Sequence, residues 1–473
     1  MDPAQHATPT DWPAYVEDFR RAGHAAVEWI ADYLAETRRF RVLPAVTPGE
    51  LQDALPKSAP DAGEPFDRIM EDFDRVIMRG VTHWNHPAFF AYFACTGSTP
   101  AIVAEMLAAA LNTNGLHWLT SPAVAELEQV ALGWLRQWMG VPEGWTGVIY
   151  DTASTTSMHA IVCAREFTAP EVHAEGGGRN LVLYTSEQSH SSIEKGAIAV
   201  GIGQNNVRKV PVDAEFRMRP DALAALIERD LSAGLRPCGI VATIGTTSTT
   251  SVDPVSAIAA IAERHNLWLH VDAAYAGAAA ILPECRHHFA GLERAHSFVV
   301  NAHKWLLTPI DLSAFYTRRP DVMRRAFSLV PEYLRPQQDP RAHNLMDYGI
   351  PLGHRFRALK LWFVMRYFGR HRIQQVLRDH IAWAQRLASL IDSHPDFERA
   401  APAPFSVVNF RFRGTDEQNR AILEAVNSSG KTFISSTVLH QRFVLHVAIG
   451  NLGTTWADVE QAWELVKKAA AEI

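Results

Sequence analysis

The chain has 473 residues, 47% of them hydrophobic and 20% charged, and a net charge of -6 from 45 basic and 51 acidic residues. That size exceeds one ordinary core and calls for two or three soluble domains. The charge balance gives no electrostatic reason to expect nucleic acid or an anionic membrane as partner. The four cysteines, Cys95, Cys163, Cys238 and Cys285, are too scattered for a disulfide framework or a zinc site. No signal-like start and no bilayer-length apolar run is present, so a reduced cytoplasmic setting is expected.

Residues 1–81 are polar and proline-punctuated around one amphipathic stretch, Phe19 to Tyr33. Such a segment makes a poor independent domain and is expected to pack on another subunit. From residue 82 to 360 helical stretches alternate with short apolar strands at Val148 to Tyr150, Leu181 to Tyr184, Gly239 to Ile244, Leu267 to Val271 and Phe298 to Val300. That alternation predicts an α/β domain with a mostly parallel sheet covered on both faces. Residues 361–473 read as a smaller α+β domain, with strands in Pro404 to Arg413 and Arg442 to Ile449 and a closing helix Trp456 to Ala470.

In parallel sheets the binding residues collect at the carboxyl ends of strands. Lys304 follows the apolar run Phe298-Val299-Val300 within Asn301-Ala302-His303-Lys304-Trp305. A lysine facing a cleft can lose its proton and attack an aldehyde. Asp272 ends the preceding strand, in Leu269-His270-Val271-Asp272-Ala273-Ala274-Tyr275. Alone it reads as a helix cap, the ordinary role of aspartate. Paired with Lys304 it reads as the partner of a pyridine nitrogen, and the pair points to pyridoxal 5'-phosphate. The small Ala274 leaves room for a flat ring. His190, after the strand Leu181 to Tyr184, is placed to stack on that ring and handle protons. Thr152-Ala153-Ser154 opens a helix, where free N–H groups bind phosphate. Thr246 is a further strand-exit hydroxyl, available to the cofactor or to a substrate carboxylate. No metal-ligand pattern is apparent.

Taken with Gly80-Val81-Thr82-His83-Trp84, Phe89-Phe90-Ala91-Tyr92-Phe93, Ser121-Pro122-Ala123 and Arg355-Phe356-Arg357-Ala358-Leu359-Lys360-Leu361-Trp362, these motifs resemble the pyridoxal-phosphate group II decarboxylases, and among them the aromatic L-amino acid decarboxylases. The likeness runs from about residue 14 to the C-terminus. It implies the fold type I of PLP-dependent transferases and a homodimer with active sites at the interface. It implies that Lys304 forms the Schiff base, that Asp272 faces the pyridine and that His190 stacks on the ring. It implies that Ala153, Ser154, Asn301 and His303 hold the phosphate, with Gly353 reaching it from the other subunit. Trp84, Tyr92 and Phe93 then line the substrate pocket, with Leu116 and His117 from the second subunit. Tyr333, in a proline-marked loop, is implied to return a proton to the substrate after carbon dioxide leaves.

The expected reaction is decarboxylation of tryptophan, tyrosine, dopa or phenylalanine to the arylalkylamine. The alternative is decarboxylation coupled to oxidative deamination, giving aldehydes; the presence of both Tyr333 and His190 favours the amine. Glycine at position 353 goes with indole substrates in plant relatives and leans toward tryptophan. The chain departs from the pattern in the short link through Gly349, in His354, which stands where arginine or lysine is usual, and in Asn114, Leu116 and His117.

Overall fold

The computed structural model describes residues 11–178, 180–329 and 342–473. Along the chain the strands are β1 (Phe89–Phe90), β2 (Thr146–Tyr150), β3 (Leu181–Ser186), β4 (Val207–Val210), β5 (Arg236–Thr243), β6 (Trp268–Asp272), β7 (Ser297–Asn301), β8 (Ser313–Thr317), β9 (Phe397–Arg399), β10 (Val407–Phe412), β11 (Phe433–Leu439) and β12 (Arg442–Ala448).

Seven strands form the large sheet in the order β2-β8-β7-β6-β5-β3-β4. The neighbours β4-β3-β5-β6-β7 are all parallel, and β3, β5, β6 and β7 are buried on both faces as mostly apolar runs, while the edge strand β4 exposes Lys209. The mostly parallel α/β layout expected for fold type I is therefore present. One strand departs from it. β8 runs antiparallel to both β7 and β2. The chain from 302 to 312 is shorter than a parallel crossover needs, about a dozen residues, so it turns back beside β7.

Helices cover the sheet. Ala153–Thr168 buries Ala160, Ile161, Val162, Cys163 and Ala164 against it, and Val255–Arg264 buries Val255, Ile258, Ala259, Ile261 and Ala262. Five strands form a second sheet in the order β1-β11-β12-β10-β9, antiparallel except where β1 pairs parallel with β11. Its core includes Phe397, Phe410, Leu445 and Trp463. The helix Asp416–Ser428 on this sheet starts with a capping box, Thr415 and Gln418 satisfying each other's backbone N–H groups. The long helix Ala358–Ser393 joins the two parts and breaks at Gly369, whose φ of 64° no helical residue adopts.

The first helix, Trp12–Ala35, starts at the N-cap Asp11 and buries none of its residues. Trp12 and Phe19 stand exposed on it. No helix among the described residues is long and apolar enough to cross a membrane.

Candidate active site

β2, β3, β5, β6 and β7 end on the same side of the large sheet, and their exits surround a cleft of about 190 Å³. Its lining includes Phe93, Ala153, Ser154, His190, Asp272, Ala274, Asn301, His303 and Lys304. Nine residues singled out in the sequence thus meet in one place. A larger cleft of about 470 Å³ lies between Glu215, Arg217, His287 and His288. None of the singled-out residues lines it.

Lys304 leaves the short helix Ala302–Trp305 directly after β7. Its ammonium lies 4.8 Å from the centre of the Phe93 ring. Water reaches it through the cleft mouth, yet protein atoms crowd it, and burial lowers its pKa while the charge of Asp272 opposes the drop. The ring contact is worth about 2 kcal/mol. Removing an ammonium from water costs several kcal/mol, so desolvation outweighs it and the pKa moves toward the neutral, nucleophilic amine.

Asp272 closes β6, is buried, and accepts the Ala274 N–H at 3.0 Å. That bond folds the chain sharply after the strand and sets Ala274 in the cleft wall. Opposite, Gly245 has φ +86°, and a Cβ there would stand 2.6 Å from that of Ala276. Both the backbone conformation and the space demand glycine.

His190 caps the helix Ser191–Ala199, its Nδ1 accepting the Ser192 N–H at 3.2 Å and lying 2.8 Å from the Ser192 hydroxyl. A backbone N–H can only donate, so the proton of the neutral ring sits on Nε2. Burial lowers the His190 pKa, Lys304 adds to the drop and Asp272 resists it.

The other end of the cleft is rich in donors. Thr152 occupies the N-cap of Ala153–Thr168 without capping it through its side chain. The first N–H groups of that helix are therefore left without a side-chain cap at the cleft, an arrangement suited to an anion with the dipole behind it. His303 Nδ1 accepts the Leu312 N–H at 2.9 Å, and burial followed by the Lys304 charge takes its pKa to about 4. The ring is neutral at physiological pH and carries its proton on Nε2, 3.3 Å from the Asn301 amide. A donor needs the Asn301 oxygen there, and the alternative orientation leaves that oxygen buried and unpartnered. With the oxygen facing His303, the Asn301 NH₂ takes the buried, unpartnered position in the cleft wall and is left as a donor. Helix N–H groups, a hydroxyl and an amide NH₂ converge as donors for an oxyanion. Lysine, carboxylate and imidazole stand at the other end. This donor set fits pyridoxal phosphate.

Other singled-out residues fall elsewhere. Thr246 is buried 2.9 Å from the Thr249 hydroxyl and accepts the Ser251 N–H at 3.0 Å; its neighbour Thr247 lines the cleft instead. Trp84 and Tyr92 stack on each other at 6.1 Å on the surface, Tyr92 57% exposed. Gly353 is exposed beside Asn114, His117 is buried and Leu116 half-buried, all outside the cleft lining. Tyr333 lies outside the described residues.

Sequence reasoning missed Thr243 and Tyr275, which also line the cleft. Tyr275 stacks on Phe93 at 4.1 Å and on Trp305 at 4.9 Å, carrying the aromatic wall behind Lys304. Its place three residues after Asp272 was the available signal.

Residues 48–413 match the family model described as the pyridoxal-dependent decarboxylase conserved domain. The aromatic-L-amino-acid decarboxylase of Bos taurus is 39% identical over 96% of each chain. The phenylacetaldehyde synthase of Arabidopsis thaliana is also 39% identical, over 97% of each. A crystal structure of Oryza sativa TDC with PLP and tryptamine superposes with a TM-score of 0.94 at 37% identity, over 96% of this chain and 98% of that one.

Proposed function

Starting from the fact that the chain belongs to the pyridoxal-dependent decarboxylase family, we propose that it removes the carboxylate of tryptophan, tyrosine, dopa or phenylalanine as carbon dioxide and releases the arylalkylamine. The observation that carries this reading is the convergence of Lys304, Asp272 and His190 with the donors of Ala153, Ser154 and Asn301 in one cleft.

Bound there, pyridoxal phosphate supplies an electron sink for the breaking bond between Cα and the carboxylate. The chain's residues do the rest. Lys304 attacks as the free amine that its burial favours. Asp272 would face the pyridine nitrogen and favour its protonated form. His190 would cover the ring and hold its Nε2 proton toward the cleft. Ala153, Ser154 and Asn301 grip the phosphate, and His303 fixes the Asn301 amide from behind. Phe93 and Tyr275 give the substrate end an aromatic wall. Tyr333 delivers the proton to Cα.

The protein acts as a homodimer in this reading. Support comes from residues that one chain leaves unused: Trp84, Tyr92 and Gly353 stand exposed, as do Met106, Leu107 and Leu111 on the helix Thr99–Leu111. A second copy covers these apolar side chains and brings Gly353 and Leu116 to the neighbouring cleft. A cytoplasmic location goes with this reading, supported by four unpaired cysteines.

Purified protein incubated with each of the four amino acids tests the reading; no amine and no carbon dioxide from any of them would sink it. The phenylacetaldehyde synthase relative favours one rival, the aldehyde-forming route. Hydrogen peroxide in stoichiometric yield with product selects that rival.

A further inference from the structure

The helix Pro122–Met139 packs along β2, the free edge of the large sheet. An edge strand leaves half of its peptide groups without a strand partner. Two consecutive helix residues supply partners here. Glu128 Oε1 accepts the Ile149 N–H at 2.9 Å, and Gln129 Nε2 donates to the Gly147 carbonyl at 3.3 Å. The other Glu128 oxygen, Oε2, lies 2.7 Å from His354 Nε2. Glu128 is fully buried. A neutral side chain such as that of Gln129 is enough to cap an edge. A carboxylate costs several kcal/mol to bury unless both oxygens are engaged, so Glu128 is placed for its second partner.

That partner belongs to the segment that carries Gly353. The His354 N–H donates to Asn114 Oδ1 at 2.9 Å, and the His354 carbonyl accepts the Gly115 N–H at 2.8 Å. Asn114 Oδ1 also accepts the Leu116 N–H at 3.2 Å. On the other side of the tie, Ile149 is followed within one turn of chain by Thr152 and the helix Ala153–Thr168.

We propose that Glu128 is a positioning residue that locks the Gly353 segment to the strand delivering the phosphate-binding helix, and so sets cofactor affinity without touching the cofactor. The proposal rests on the reading above, in which Gly353 reaches the phosphate held by the partner. One buried carboxylate then ties each subunit's own phosphate helix to the segment it lends across the interface.

The test uses the full chain as Glu128→Gln, His354→Gln and the double variant. Each apoprotein is titrated with pyridoxal phosphate by visible absorbance, its melting temperature is recorded, and kcat on tryptophan is measured at saturating cofactor. Glu128→Gln keeps the volume and an oxygen for Ile149. The expected result is a cofactor Kd about tenfold higher in each single variant, with no further rise in the double variant, and kcat within about twofold of wild type. Unchanged cofactor affinity in the single variants overturns the proposal, whatever happens to melting. Multiplying losses in the double variant also overturn it, since the two side chains then act independently. If Glu128→Gln fails to fold, His354→Gln decides the matter, with His354→Arg expected to restore affinity. Wild-type protein that takes up no cofactor overturns the functional reading itself, and this inference with it. Wild-type uptake with indistinguishable variants overturns this inference alone.

Discussion

The carboxyl edge of the large sheet and the aromatic region around Trp84, Tyr92 and Gly353 are built on opposite terms. At the sheet edge one chain brings Lys304, Asp272, His190 and His303 into a single cleft, and buried neighbours tune them: Lys304 loses basicity, His303 is held neutral, and Asp272 is fixed by a backbone bond. In the aromatic region, large apolar side chains face solvent, and a Cβ at Gly353 would come within 4 Å of nothing but the Asn114 amide among the described residues. The sheet edge is preorganised within one chain, whereas the aromatic region takes up its role only in the proposed dimer.

The sharpest way to break this contrast is at Lys304. Lys304→Ala is expected to cut amine formation by on the order of 10⁴-fold or more and to abolish the visible absorbance of the bound cofactor. Substantial turnover would remove the sheet edge from the chemistry. Asn301→Ala, at the donor-rich end, removes a bond to a charged group worth about 1.5–3 kcal/mol. The cofactor Kd is expected to rise about 10–100-fold in an absorbance titration, with kcat at saturation little changed. Leu107→Glu probes the other region. A charge on that exposed apolar face is expected to weaken self-association by about 1–2 kcal/mol, roughly tenfold, in sedimentation velocity. An unchanged mass distribution would exclude this face from the interface.

The smallest effect is one of pH. His303 and His270 are buried with pKa values of about 4, set first by desolvation. In the unfolded chain the same groups titrate near ~6.5. Between these values the unfolded state binds the proton and the folded state does not, so stability falls as pH drops from ~6.5 and the loss is complete below about 4. His303→Gln is expected to flatten the fall of melting temperature over that window by about one proton's slope. An unaltered slope would show that His303 is not held neutral.

What the sequence made legible was local. Asp272 and Lys304 stood out because each follows an apolar strand at its exit, where a charged side chain has a cleft to face. His190 and Ser154 could be read the same way, since strand, turn and helix N-terminus succeed each other within a few residues. Neighbours one position away were harder to rank. Thr246 and Thr247 both leave β5, and the turn there, bonded through Thr249 and Ser251, aims one of them inward and the other away. Long-range pairing left no local trace. β8 is a short mixed run, Ser313 to Thr317, whose direction follows from the length of a connection. Edge capping by Glu128 was invisible for the same reason, because its partners lie 21 and 226 residues away.

β1 carries that lesson into the order of folding. Phe89 and Phe90 pair with Phe433 and Ile434, and Phe93, just beyond them, forms part of the wall behind Lys304. A ribosome delivers the five strand exits of the cleft well before it delivers β11. Until then β1 has no strand to pair with, and Phe89 and Phe90 lack Phe433 and Ile434 as neighbours on the nascent chain. The last piece of the active site to settle is therefore among the first to be synthesised. A chain truncated before residue 433 would carry Lys304 and Asp272 yet leave the wall behind them unanchored.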